Sequence, residues 1–361
     1  MTHDIPKLNL LIKNRHLRRL QNDVWNERLL PSKLVIDHYK FDSGVTYRGD
    51  HVRAFTKKSY RVGFKQYNEV FQGNEIHLNA EYRDPSLIRN KLSFDFFHII
   101  GGRAPKAQHV FLELNGKSQG IYLLIESVDR HFLKNRNLPD GPIFYATTNK
   151  ATFSLFTAEN EPKKSLLSGY ELKEGKEKDF EDLEQFLITL NTYPREGFGQ
   201  EIARYVDVQK YLTWLCGIVC TQNFDAFIHN YALYKNRDTG LYEIIPWDYD
   251  ATWGRDWDGL KMEYDYVPIE GYNTLTARIL DVKQYREQYR DMLEEILKTT
   301  FTTERLEPII TNLMNQIKPY LPFDPYINRF SNKKLMRERD YILQFIEDRN
   351  QYLRDGLKSL T

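Results

Sequence analysis

Apolar and polar residues alternate along KSYRVGFK (58–65): Tyr60, Val62 and Phe64 share one face, and Ser59, Arg61 and Lys65 the other. That period of two predicts a half-buried strand. A helical period governs DPSLIRNKLSFDFFHIIGG (84–102), where Leu87, Leu92, Phe96, Ile99 and Ile100 recur on one face. Asp84 and Pro85 make an N-cap and first-turn pair, and Gly101–Gly102 a stop. HVFLELNGKSQGIYLLIE (109–126) predicts two strands around the turn-rich NGKSQG, and SVDRHFLKNRNLPDGP a short helix and a loop. From about residue 177 the pattern turns helical. Phe180, Leu183, Phe186, Leu187 and Leu190 form one stripe, and Asp207 N-caps a second helix through Tyr211, Leu212, Leu215 and Ile218, with Val206 and Tyr211 as a staple. YALYK (231–235) and LYEIIPW (241–247) are short strands joined by NRDTG, a hairpin signal. Beyond 270 the chain predicts helices over 275–300, 303–318 and 332–355. The order is α+β: a mainly β first part with one prominent helix, then a mainly helical part carrying a small hairpin.

Composition changes this picture little. A chain of 361 residues is long enough for two lobes. Its 51 basic residues against 50 acidic ones leave no global field for a nucleic acid partner. Cys216 and Cys220 lie four apart in a helical pattern, as buried small hydrophobes would, rather than in a disulfide or zinc framework. The start, MTHDIPKLNLLIKN, lacks the apolar core of a signal peptide, and no 18-residue apolar run offers a membrane span. The expectation is a protein made and kept on the cytoplasmic side, with no membrane partner.

The polar residues that call for an explanation lie in CTQNFDAFIHNYALYK (220–235). Asp225, His229 and Asn230 fall between an apolar helix and a strand, where polar groups need partners. A hairpin returns its second strand beside its first, so PWDYD brings Asp248 close to Asn230, with Asp250 near. Phosphoryl transfer to a hydroxyl needs such a set: one carboxylate to orient the hydroxyl and oxygen ligands to hold magnesium against the phosphates. In protein kinases an Asp is followed five residues on by a metal-binding Asn, and a second metal-binding Asp stands after a hairpin. The plainer reading of Asp225 and Asn230 is a tied turn. Ordinary kinase signatures are absent: the chain has no G-x-G-x-x-G, V-A-I-K, H-R-D, D-F-G or A-P-E, and the helix at 85–100 carries Asp95 as its only acid.

YRGD (47–50), KKSYRVGFK (57–65), DPSLIRNKLSFDFF (84–97), LNGKSQGIYLLIESVDRHFL (114–133), NFDAFIHNYALY (223–234) and PWDYDATWG (246–254) together resemble the CotH family of atypical protein kinases, over roughly residues 45 to 300. The resemblance implies a divergent two-lobe protein-kinase-like fold without a glycine-rich loop. Its β-rich N-terminal lobe would be 1–126, and its mainly helical C-terminal lobe, 127–361, would carry the catalytic loop and the metal-site hairpin. It implies a protein serine/threonine kinase using ATP with magnesium or manganese. The substrates would be serine-rich spore coat proteins, phosphorylated for outer coat assembly by a protein made in the mother cell and located in the spore coat.

Carried over by position, Asp225 is the catalytic acid and Asp248 the metal-binding acid, with Asn230 in the second ligand slot. Asp250 is a further ligand or an N-cap for ATWG. YRGD, with Arg48, and KKSY resemble the part that covers the phosphates. Lys58, in phase with the apolar strand face, is the lysine expected to contact the phosphates; Lys57 and Arg61 are out of phase, and one bulge reverses that choice. The bland reading of all three is a solvated basic face. Glu126 sits at the hinge, or is a strand-end carboxylate paired with Arg130 or Lys91. Arg89 and Asn90 bind phosphate, hold Asp248, or form a structural network, and His229 is a scaffold residue. A non-catalytic scaffold that binds coat proteins and a metal-dependent hydrolase are the competing functions. The second lacks the His-rich ligand set common in such enzymes.

Overall fold

The alternation in Lys7–Ile12 sends Leu8, Leu10 and Ile12 to one face, and all three are buried. Leu30–Ile36 repeats the pattern with Leu30, Leu34 and Ile36. These strands, β1 and β2, belong to a barrel completed by β3 (Tyr39–Tyr47), β4 (Tyr60–Asn68), β5 (Gly73–Asn79), β6 (Ala107–Leu114) and β7 (Lys117–Glu126). The strand order is β1-β2-β3-β4-β5-β7-β6. Neighbours are antiparallel except that β1 runs parallel to β6, with Lys7 opposite Phe111, which closes the ring. Closure removes both sheet edges and encloses Leu10, Val45, Val62, Ile76, Leu78, Val110 and Leu112. The β6–β7 hairpin turns through Asn115 and Gly116 alone, at φ +52 and +77, the left-handed pair that Asn-Gly adopts readily.

The computed structural model describes residues 4–157, 159–327 and 332–360. Its helices are α1 (Asn14–Asn22), α2 (Arg89–Ile99), α3 (Arg130–Lys134), α4 (Asp179–Thr192), α5 (Phe198–Ile202), α6 (Val208–Thr221), α7 (Thr274–Asp281), α8 (Lys283–Thr299), α9 (Thr303–Ile317) and α10 (Asn332–Gly356). A second sheet has the order β11-β10-β8-β9, from β8 (Ile143–Ala146), β9 (Tyr170–Glu174), β10 (Tyr231–Lys235) and β11 (Tyr242–Pro246). The protein is thus α+β, β-rich first and helical later, as the pattern predicts. The closed seven-stranded barrel, however, is not the lobe of an ordinary protein kinase.

Three local differences have physical causes. The helix expected from Asp84 starts at Arg89, because Leu87 sits at φ +62 and no helical turn accommodates that value. Asp84 instead closes the preceding turn, accepting the N–H groups of Ser86 at 2.8 Å and Arg89 at 2.9 Å. The helix expected over 275–300 is two, broken where Val282 is extended, with Asn273 capping α7. The helix α1 was not anticipated: it has no side-chain cap and no acid in its first turn, and its buried residue is Leu20.

By its internal contacts the chain forms two compact units. The first comprises residues 1–92, 105–127 and 308–341 and contains the barrel. The second comprises 93–104, 128–307 and 342–361 and contains the second sheet with most of the helices. Cys216 and Cys220 are buried free thiols. Among the described residues no helix is long and apolar enough to cross a membrane.

Candidate functional site

In the second unit, α6 delivers the polar stretch. Asp207 caps the helix by accepting the Lys210 N–H at 3.1 Å, and its residues from Trp214 to Thr221 are all buried. The helix ends where Gln222 turns left-handed at φ +57. Asn223 then accepts the Ala226 N–H at 3.1 Å, holding the entry to the short turn Asp225–Phe227. The Asp225 carbonyl accepts the N–H groups of Ile228 and His229 at 2.9 and 2.8 Å.

The hairpin pairs Tyr231 with Pro246. One step further out, the Trp247 N–H donates to the Asn230 carbonyl at 3.1 Å, while the Asn230 N–H donates to Ala146 on β8 at 3.1 Å. Asn230 is therefore fixed on both sides by the sheet, and Asp248 follows the residue bonded to it. Asn230 and Asp248 both adopt left-handed backbone, at φ +60 and +59. Asn and Asp tolerate this region better than other side chains, and it ends the pleat, so the chain turns away at both positions. Asp225, Asn230, Asp248 and Asp250 are all half-buried.

Buried contacts hold the loop beyond Asp248. The Trp253 N–H donates to the Thr221 carbonyl at the end of α6, and its indole donates to Ser93 of α2, each at 2.9 Å. Trp253 is fully buried at φ +54, a conformation that persists only under such packing. ATWG is a turn rather than a helix, so Asp250 has no helix to cap there; its carbonyl accepts the Thr252 N–H at 3.1 Å. Among the described residues no group of three or more His, Cys, Asp and Glu side chains could hold a metal ion.

The basic candidates belong to the first unit. The pleat of β4 begins only at Tyr60, so strand phase does not reach the two lysines. Lys57 is the buried one, 2% exposed, and Lys58 is half-buried. The Lys57 ammonium donates to the Ile121 carbonyl at 2.6 Å and to Asp324 at 3.0 Å. Burial holds its pKa below the usual lysine value, against the pull of Asp324 and Glu81. Lys58 donates to the Arg53 carbonyl. Arg48 bonds Asn79, and Arg61 bonds the Glu27 carbonyl at 2.9 Å. Glu126 accepts the Lys106 N–H at 2.9 Å, tying the end of β7 to the start of β6. Arg130 faces Glu174 instead. Arg89 is fully buried between Asp84 and Glu338, and Asn90 donates to Glu81 at 3.1 Å. Asp324, Glu338, Glu81 and Asn223 were not singled out by sequence reasoning. Only Asn223 carried a local signal, an Asx residue three before the N–H it accepts; Asp324 lies 267 residues from its lysine.

The family model described as CotH kinase protein matches residues 45–353. The inner spore coat protein H of Bacillus subtilis (strain 168) is 47% identical over 99% of both chains. The inner spore coat protein H-like protein of the same organism is 29% identical over 84% of this chain and 87% of its own. Among solved structures, a chain of the Shewanella oneidensis MR-1 HipA–HipB–operator DNA complex aligns with a TM-score of 0.40 at 13% identity, covering 98% of this chain and 74% of that one.

Proposed function

This chain belongs to the CotH family, and on that premise we propose that it is an ATP-dependent protein serine/threonine kinase of the spore coat, phosphorylating serine-rich coat proteins. The observation that carries the reading is the backbone bond from Trp247 to Asn230, which sets a carboxamide and a carboxylate at one hairpin edge, just after the turn bearing Asp225.

The donor set fits magnesium or manganese. Asn230 and Asp248 offer oxygen ligands, which hard cations prefer, and such an ion keeps several waters and takes other ligands from substrate phosphates. A dedicated cage of acidic side chains is therefore not required. Bound there, the ion would neutralise charge on the β- and γ-phosphates. Asp248 and Asn230 would hold it, with Asp250 as a further ligand. The Asp225 carboxylate accepts the hydrogen bond of the acceptor serine and orients its oxygen. Because the transition state is loose, this positioning matters more than the strength of the base. Among the basic groups, Lys57, Lys58, Arg61 and Arg48 are the phosphate candidates, and Glu126 is the candidate that the family resemblance offers for nucleotide binding.

The experiment is incubation with γ-labelled ATP, magnesium or manganese, and a basic serine-rich peptide. Label on peptide serine supports the kinase. Nucleotide binding without transfer would make the protein a coat-assembly scaffold, and label released only as inorganic phosphate would make it a hydrolase.

A further inference from the structure

Ordinary protein kinases hold the phosphate-binding lysine in place through a glutamate on a helix of the small lobe. In α2 the only acid is Asp95. We propose that Asp324 does this work here, fixing Lys57 as the lysine that contacts the nucleotide phosphates. The inference rests on the kinase reading and adds a positioning residue to it.

The seat of the pair is built from several parts of the first unit. Lys57 and Asp324 are 3.0 Å apart, with side chains 1% and 0% exposed. The Asp324 carboxylate is itself anchored, accepting the Ile121 N–H and the Tyr326 N–H, each at 2.9 Å. Ile121 therefore binds both partners, its carbonyl taking the lysine and its N–H the acid. Beside it Gly120 sits at φ +85, where a Cβ would lie 2.0 Å from the Asp324 carboxyl carbon. Only glycine lets the acid approach this backbone. The Lys57 ammonium also lies 4.7 Å from the centre of the Tyr122 ring.

A lysine ammonium has three donors, and the two bonds to Ile121 and Asp324 leave one for a phosphate oxygen. A cation so confined does not have to be ordered when the ligand arrives, which is what electrostatic preorganisation requires. Lys58 has a less confined position, half-buried, with its ammonium on the Arg53 carbonyl.

The test uses the full chain. An ATP acyl-phosphate probe places an acyl carbonyl beside the bound phosphates. A neighbouring lysine amine attacks it, forming an amide and releasing ATP. Peptide mapping on the wild-type protein should find the acyl group on Lys57, suppressed by excess ATP; acylation confined to Lys58 or other lysines overturns the assignment. The variant Asp324→Asn should raise the Kd for magnesium–ATP about tenfold, with kcat changing less than KM. Because breaking a buried pair on one side threatens folding, the double variant Lys57→Met/Asp324→Asn removes both charges together. Folded, it should bind magnesium–ATP at least tenfold more weakly than wild type. A pair that served only as a structural tie would leave the Kd of the folded double variant unchanged, and that result sinks the proposal while wild type still binds and transfers. A wild-type chain that binds no ATP removes the kinase reading itself, a distinct failure.

Discussion

His109 on β6 makes the first unit of the protein sensitive to mild acid. The residue is 2% exposed, and its Nε2 lies 2.8 Å from the Leu87 carbonyl, in the left-handed turn before α2. The bond assigns the proton to Nε2, the donor of a neutral imidazole. Burial denies the imidazolium its hydration and holds the pKa at about 4, from an ordinary 6.5; the Leu87 carbonyl and Asp84 oppose the shift and Lys91 reinforces it. Above pH 6.5 the group is neutral in both the folded and the unfolded chain and contributes nothing. As pH falls through 6.5, the unfolded chain takes up a proton that the folded one refuses, and stability drops until about pH 4. At pH 5 the difference, RT ln[(1 + 10^1.5)/(1 + 10^−1)], is about 2 kcal/mol, and the full loss is about 3 kcal/mol. The perturbation is His109→Gln, whose amide nitrogen keeps a donor for Leu87 but does not titrate. Urea unfolding followed by far-ultraviolet circular dichroism at pH 7 and pH 5 measures the effect. Between those pH values the wild type should lose about 2 kcal/mol more than the variant. Equal losses in the two proteins would refute the reasoning, whatever the variant's stability at pH 7.

Asp225→Asn should lower kcat by about 10²-fold or more while leaving nucleotide Kd and melting temperature close to wild type; a folded variant that phosphorylates serine at the wild-type rate defeats the assignment. Asp248→Asn nearly preserves volume and should weaken magnesium-dependent nucleotide binding and transfer together, checked by titration with and without the metal; unchanged metal dependence excludes a ligand role. Arg349 is fully buried and donates at 2.6–2.8 Å to the carbonyls of Val219, Tyr264 and Val267. Arg349→Met strands those acceptors and should destabilise the second unit by about 3–5 kcal/mol, read from the urea midpoint; a loss under about 1 kcal/mol contradicts the accounting. Gly217→Ala puts a Cβ 2.4 Å from the Phe97 ring. It should cost about 1–3 kcal/mol by overpacking, and an unchanged melting temperature would show that the ring yields freely.

Local periodicity and local chemistry were enough to place much of the chain. The β10–β11 hairpin, the Asp207 cap of α6 and the adjacency of Asn230 to the residue before Asp248 all follow from contacts between near neighbours in sequence, where spacing alone sets geometry. The same spacing is the ground on which Asp225, Asn230 and Asp248 are proposed as a group. What lay beyond it depended on distant segments. Parallel pairing of β1 with β6 closes the barrel across about a hundred residues, and no pattern within either strand specifies its partner. Strand phase named Lys58 as the inward lysine, yet the pleat stops at Tyr60 and packing buries Lys57. The acid that meets Lys57 comes from position 324, and the glycine that admits it is at 120. A charge enters a protein interior only where a partner and a matching space meet it, and those are properties of the folded chain, not of any stretch of its sequence.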